Sequence, residues 1–460
     1  MDIPLFLAVL MLLQFVCVFA GKVASRELVD EQDYFLAGKG VQFFPLVMSF
    51  IATQIGGGLI LGSAEEAYRF GWSVLLYPLG AALGFVVLAL GVGKRLASFS
   101  VSTVAQLFEK VYDSKKLKTV ASLLSIISLF LILVAQVIGS RKFMANLTVD
   151  SLPLFLVFWA IVILYTVMGG LKALIAIDII QALFFICVFC AGGVFVWWMG
   201  GGVEGVHSAL TLESFDWSGS KLLGWLLMPL LFMVIEQDMA QRCFAAKTPG
   251  VVAKAAGCAG VATLLICLVP VYFGVYAREV GLVPFNGESV FMSVAKAATS
   301  PAMSAFLGCA VLMAIISTAI SLINAVSSNL LQDFSWGMVE TKEGSASRMG
   351  LMRSVTAGIG LLAVWISFSY QNIVDLLIES YELSVYCLVV PVTAALFQRR
   401  GRVLSAALAM GGGGVAFLWT RYLSTPIPKE LFGLLISCVG FGLGECMALF
   451  YPARRFAEGR

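Results

Sequence analysis

Apolar runs long enough to cross a bilayer follow one another along almost the whole chain, divided by short polar loops. A hydrocarbon core of about 30 Å takes about 20 apolar residues as helix, and backbone in lipid must satisfy its own hydrogen bonds. Against that length the pattern predicts thirteen helical spans, near 3–20, 42–67, 72–93, 118–140, 152–168, 174–199, 222–241, 252–276, 301–333, 350–369, 372–397, 403–421 and 430–451. The expected fold class is all-α integral membrane. The first run has Asp2 where a signal peptide carries a basic region, so it is expected to stay as a helix. Lys and Arg set the orientation. With the N-terminus outside and the C-terminus inside, 22 of the 30 basic residues fall in cytoplasmic loops, among them Lys94, Arg95, Arg242, Lys342, Arg399, Arg400, Arg402, Arg454, Arg455 and Arg460.

Composition agrees. Of the 460 residues 60% are hydrophobic and 12% charged, about half the share of a soluble domain, with a mean hydropathy of +0.96. A net charge of +3, spread along the chain, gives no footprint for nucleic acid. Ten cysteines lie in apolar stretches without a disulfide frame or zinc spacing. Cys187 and Cys190 form a C-x-x-C, but no polar neighbour is there to activate a thiolate. His207 is the only histidine and falls in a predicted external loop, 200–221. With no metal motif or nucleophile–base pair either, an enzyme is not expected.

The information lies where polar groups interrupt the spans, because burying them in lipid costs several kcal/mol. The second span carries Gln54 followed by Gly56, Gly57 and Gly58. Each glycine costs a helix about 1 kcal/mol relative to alanine. Two readings stay open: a broken helix whose carbonyls near Ala52 and Ile55 can bind a cation, or close packing through small residues. In the ninth span Ser317, Ser321, Asn324 and Ser328 fall at i, i+4, i+7 and i+11, a single polar stripe of hard oxygens suited to sodium. Serines can also bond back to their own helix. Asp178 opens a long apolar helix, where it suits either a site or the helix dipole. Glu236, Gln237 and Asp238 close the seventh span. Positions 222–235 alone are too few to cross, so that helix must continue past Glu236 or break there. Glu379 and Glu382 lie in or beside the eleventh span.

Four ordered motifs make the chain recognisable. Asp33-Tyr34-Phe35-Leu36-Ala37-Gly38-Lys39-Gly40 precedes Ala52-Thr53-Gln54-Ile55-Gly56-Gly57-Gly58. Gly169-Gly170 follows, with Asp178 and Gln181. Then come Gln237-Asp238 with Gln241-Arg242, and Ser317-Thr318 through Ser328 to Asp333. Residues 30–400 resemble the sodium/solute symporter family. That resemblance implies a LeuT-type fold of two inverted five-helix repeats, 42–199 and 222–397. An extra helix and loop at 1–41, the external loop 200–221, and two C-terminal helices with a tail at 398–460 complete it.

The resemblance also implies sodium as coupling ion, held by the carbonyls of Ala52, Ile55 and Ala314 and the hydroxyls of Ser317 and Thr318. Asp178 and Ser321 match a second cation site of some members, although Ile320 replaces one of its serines. The motifs are most similar to the choline-transporter branch, where tryptophans stand at the positions of Gln54 and Glu236. Without that aromatic cage a quaternary ammonium is poorly held. The expected solute contacts are Gln54, Gly57, Gly58, Tyr77, Glu236, Gln237 and Glu379. The implied function is sodium-coupled import of a small polar organic solute, an amino acid or organic cation, by alternating access. Proton coupling on the same fold, or a solute sensor that does not transport, are the alternatives. The expected partners are the solute and the lipid bilayer, with no nucleic acid and no obligatory protein partner evident.

Overall fold

The apolar runs form helices, the only open-chain structure that satisfies its own peptide groups in hydrocarbon. The computed structural model describes residues 1–26, 31–145, 151–199, 219–284, 288–334, 345–369, 373–397, 402–425 and 427–450. The first part of the chain forms α1 (Ile3–Ser25), α2 (Glu31–Leu36), α3 (Phe43–Gln54), α4 (Ser63–Phe70), α5 (Leu76–Val87) and α6 (Gly93–Ser98). Next come α7 (Gln106–Tyr112), α8 (Lys115–Ala145), α9 (Ser151–Met199), α10 (Gly219–Ile235), α11 (Gln237–Ala245) and α12 (Pro249–Glu279). The last are α13 (Val290–Ala298), α14 (Pro301–Asp333), α15 (Ser345–Ile366), α16 (Ile373–Phe397), α17 (Val403–Tyr422) and α18 (Lys429–Phe450). The predicted loop around His207, and Lys342, Arg399, Arg400, Arg454, Arg455 and Arg460, lie outside the described residues.

Helix starts follow local chemistry. Ser300 accepts a hydrogen bond from the Met303 amide at 3.2 Å, and Pro301 sits in the first helical position of α14, where its missing N–H costs nothing. Thr248 and Pro249 open α12 in the same way.

Ten of the described helices are long and apolar enough to cross a membrane, or eleven when the bent pair 221–235 and 237–245 is one span. The chain is thus a multi-pass membrane protein. Two of the ten exceed one crossing: Gly58–Ser98 has 41 residues and Leu152–Met199 has 48. At 1.5 Å per residue the longer would reach about 70 Å, twice the hydrocarbon thickness. Each turns at a glycine of positive φ, Gly71 at 63° and Gly170 at 52°. A Cβ on Gly170 would lie 2.3 Å from the Tyr34 carbonyl oxygen, so that turn needs glycine for its conformation and for its space.

α14 is the centre of the molecule. It is buried almost without interruption from Ser304 to Asn329 and packs on α1, α3, α8, α9 and α15. Two discontinuous helices lie against it. α3 stops at Gln54 and helical structure resumes at Gly58, while α10 and α11 meet at 45° across an extended Glu236 (φ −66°, ψ 120°). Val41 joins the two units at one end, its amide donating to Ala245 at 3.1 Å and its carbonyl accepting from Lys247 at 2.9 Å. The Gln241 side chain adds a bond to the Phe35 carbonyl at 2.7 Å.

Candidate functional site

The break after α3 frees carbonyls. In a continuous helix the amides of Gly56 and Gly57 would bond to the carbonyls of Ala52 and Thr53. Instead Ile55 is extended (φ −85°, ψ 91°), the Gly56 amide turns to Gln54 at 3.1 Å, and the Gly57 amide donates to Gln136 Oε1 at 2.8 Å. The serine helix answers the freed oxygens. Ser317 Oγ lies 2.7 Å from the Ala52 carbonyl and 2.9 Å from that of Ala314. Thr318 Oγ1 lies 2.9 Å from Thr53, 3.3 Å from Ala314 and 3.5 Å from Ala52 carbonyls. Two hydroxyl protons thus serve three carbonyl oxygens, with lone pairs in excess. Five hard, neutral oxygens converge where α3 meets α14, a donor set that fits a monovalent cation able to enter and leave. A Cβ on Gly56 would lie 2.6 Å from Thr318 Oγ1 and 3.0 Å from Gln136 Oε1, so only glycine lets the helices approach this closely. Both sequence readings of the triplet hold together: the helix is broken, and it is tightly packed.

One helical turn further along α14, the side chains at Asp178 and Ser321 are brought together around Arg242. The Arg242 Nη2 donates to Asp178 Oδ2 at 2.9 Å and to Ser321 Oγ at 2.6 Å. Its Nε donates to Ser49 Oγ at 2.6 Å, and its Nη1 to the Asp238 carbonyl at 3.0 Å. Ser49 in turn donates to Asp178 Oδ2 at 2.5 Å, and Ser321 to the Ser317 carbonyl at 2.8 Å. Thr53 and Ser321 hydroxyls meet at 3.2 Å. Arg242 and Asp178 are both fully buried. Charge counting along the sequence put Arg242 in a cytoplasmic loop. The structure corrects that: the helix resumes after Glu236 for nine residues and carries Arg242 inward. The next stripe residue, Asn324, donates to Gln241 at 3.2 Å.

The groups expected to meet solute are divided between the two breaks. Gln54 is half-buried, and its Oε1 has no hydrogen-bond partner. The Glu236 carboxylate stands at the break, and no salt bridge to it occurs among the described residues. A Cβ on Gly58 would lie 2.8 Å from Leu377 Cδ1 and 3.4 Å from the Tyr77 hydroxyl, which places Tyr77 beside the glycines. The Tyr77 hydroxyl hydrogen-bonds Tyr381, whose ring packs on Phe232 with centroids 4.6 Å apart. Beyond this tyrosine pair opens a cavity of about 290 Å³ lined by Tyr77, Trp225, Met228, Ile378 and Tyr381, with Lys221, Lys429 and Glu430 around them.

Two expected contacts are engaged elsewhere. Gln237 accepts from the Val104 amide at 2.7 Å and donates to the Ser102 carbonyl at 3.0 Å, so its amide holds the linker between α6 and α7. Glu379 is part-exposed and pairs with Arg421 on α17 at 2.5 Å. Sequence reasoning missed Gln136, Thr53, Ser49, Tyr381 and the role of Arg242. Gln136 left a signal, as a lone amide deep in the apolar run 118–140.

Residues 34–410 match the sodium:solute symporter family, which is most of the chain. The chain belongs to that family. It is therefore a sodium-coupled solute symporter, a transporter and not an enzyme, with Na+ as its coupling ion. The osmoregulated proline transporter OpuE of Bacillus subtilis (strain 168) is 24% identical over 461 residues, covering 94% of this chain and 93% of that protein. An uncharacterized symporter, YidK, of Escherichia coli (strain K12) is 22% identical over 439 residues, 87% of this chain and 76% of that protein. In three dimensions the symporter resembles a Na+-coupled sialic acid symporter solved in a substrate-bound outward-open state. The TM-score is 0.80 over 96% of this chain and 98% of the other, at 17% identity. The shared architecture is the expected LeuT-type fold.

Proposed function

We propose that this symporter imports a small polar organic solute bearing an amino group, bound between the two helix breaks and driven by sodium held at the junction of α3 and α14. The observation that carries this reading is that each break presents a polar group: the Gln54 Oε1, which has no hydrogen-bond partner, and the half-buried Glu236 carboxylate, whose neighbour is a second carboxylate, Asp238. An ammonium with N–H donors would satisfy both, and Tyr77 and Tyr381 would close over it from the side of the 290 Å³ cavity. Gly58, under Leu377 and Tyr77, lies at the edge of this site. Sodium would sit among the carbonyls of Ala52, Ala314 and Ile55 and the hydroxyls of Ser317 and Thr318, with the Thr53 carbonyl as a further oxygen. Bridging α3 to α14, it would couple the broken helix to the helix at the centre of the molecule, so that solute and ion are exposed to each side together.

The same reading takes 42–199 and 222–397 as the inverted repeats, each led by a discontinuous helix. Dividing Gly58–Ser98 at Gly71 and Leu152–Met199 at Gly170, and counting 221–245 once, gives thirteen spans, and the Lys and Arg distribution supports an N-terminus outside and a C-terminus inside. The test is uptake into proteoliposomes under an imposed inward sodium gradient, with a panel of amino acids, di- and polyamines, sugars and nitrogen-free carboxylates. Accumulation confined to amine-bearing solutes is expected. Accumulation of sugars or simple carboxylates, with amines excluded, overturns the solute assignment.

A further inference from the structure

We propose that the Arg242 guanidinium is a tethered cation that stands where a second sodium ion would bind at Asp178, so that the symporter binds a single Na+. This rests on reading Ala52, Ala314, Ser317 and Thr318 as the sodium site, and concerns what lies one turn beyond it.

The groups that a cation at Asp178 would need are the Asp178 carboxylate and the hydroxyls of Ser49 and Ser321. All three already receive N–H donors from one side chain: Asp178 Oδ2 at 2.9 Å, Ser321 Oγ at 2.6 Å and Ser49 Oγ at 2.6 Å. The fourth donor direction, Nη1, is fixed on the Asp238 carbonyl at 3.0 Å, which keeps the guanidinium plane from swinging away. Arginine stays charged in proteins and offers its donors in a rigid fork, so it neutralises Asp178 whatever the sodium concentration. Both residues are fully buried, where a second positive charge beside the first would be strongly repelled. The remaining carboxylate oxygen, Oδ1, has no hydrogen-bond partner, but an ion there would face the guanidinium across a single carboxylate. The residues therefore do not fit a second sodium.

The arrangement also links the charge to the break. Ser321, held by Arg242, donates to the Ser317 carbonyl and meets the Thr53 hydroxyl, two residues that also supply oxygens to the proposed sodium site. Arg242 thus positions the sodium site while taking no part as a ligand.

Equilibrium binding of radioactive sodium to the purified full-length protein, without solute, tests this directly. One ion per chain at saturation, with a Hill coefficient of 1, is expected of the wild type. Two ions per chain overturn the inference while leaving the Ser317 site standing. A single ion that survives Ser317→Ala with Thr318→Ala, but is lost in Asp178→Asn, overturns both. Arg242→Gln is expected to raise the count to two ions per chain, and Arg242→Gln with Asp178→Asn to return it to one. Arg242→Gln that elutes as a monodisperse peak and still binds one ion overturns the tethered-cation role. Should Arg242→Gln fail to fold, the wild-type count decides alone.

Discussion

Two hydroxyls carry much of the site at the scale of single residues. Ser317 and Thr318 meet the carbonyls of Ala52 and Thr53, which the helix break has left without main-chain donors, and that of Ala314 on their own helix. Changing both to alanine removes two proposed sodium ligands and strands buried acceptors, each at about 1–3 kcal/mol. Sodium affinity should fall at least about tenfold, equivalent to about 1.4 kcal/mol, in a sodium titration of uptake or binding. Unchanged affinity would place the ion elsewhere. Glu236→Gln keeps the shape of the break but removes the charge that an ammonium would meet. Its expected signature is solute affinity lowered about tenfold with sodium affinity retained, since a charged hydrogen bond contributes about 1.5–3 kcal/mol. An equal loss of both affinities would assign Glu236 to the fold of the break and not to the solute. These residue types were readable in the sequence as polar interruptions of apolar spans. Their partners were not: nothing in the spacing of Ala52 and Ser317, 265 positions apart, says that one touches the other.

Elements turn on a few backbone positions. α9 reverses at Gly170, where φ is 52° and a Cβ would press on the Tyr34 carbonyl at 2.3 Å. Gly170→Ala combines left-handed strain with overpacking, together several kcal/mol. The yield of monodisperse protein in detergent should drop and its melting temperature fall; a melt like that of the wild type would show that the reversal tolerates a side chain. The other element with a special duty is the linker between α6 and α7. Gln237 bonds both Ser102 and Val104 there, while Asp333 at the end of α14 accepts from Thr103 at 2.7 Å and from Ser122 at 2.8 Å. Gln237→Ala leaves the Val104 amide without its partner and loosens this end of the bundle. Faster modification of a cysteine placed at Ser102, relative to the Gln237 parent, is the expected outcome. The linker fell in an undivided loop between 72–93 and 118–140, whereas hydropathy located the reversal of α9 between the spans 152–168 and 174–199, because chain length against bilayer thickness is a one-dimensional constraint. It gave Gln237 to the solute and Arg242 to the cytoplasm, because sequence distance from a span says nothing about which way a resumed helix points.

At the scale of the whole molecule the relevant quantity is work. A tenfold sodium gradient supplies about 1.4 kcal/mol per ion. A potential of 100 mV adds about 2.3 kcal/mol per charge moved inward. With one sodium these allow roughly 500-fold accumulation of a neutral or zwitterionic solute, by the same tenfold-per-1.4 kcal/mol conversion. A solute with a net positive charge gains the membrane term twice. Accumulation ratios in proteoliposomes, measured against imposed potential, should follow the single-sodium slope and vanish when potassium replaces sodium. A slope steeper than one sodium plus the solute's own charge would require a further ion. Among the described residues one ion pair is fully buried on both sides, Asp178 with Arg242, whose halves cannot be removed singly without a cost of about 3–5 kcal/mol.

The sequence alone determined that the chain lives in a membrane, roughly where its apolar runs lie, and which of them carry polar groups. Burial in lipid penalises those groups so heavily that each one present announces itself. The motif resemblance added the family and paired the broken helix with the serine helix. Only the tertiary structure decided which polar groups meet. It set Gln136 on the Gly57 amide, Thr53 beside Thr318, and Arg242 on Asp178 and Ser321. The reason is geometric. Hydropathy is a property of a segment, whereas a binding site is made by side chains from four helices, whose contacts depend on rotation and depth that no single segment encodes.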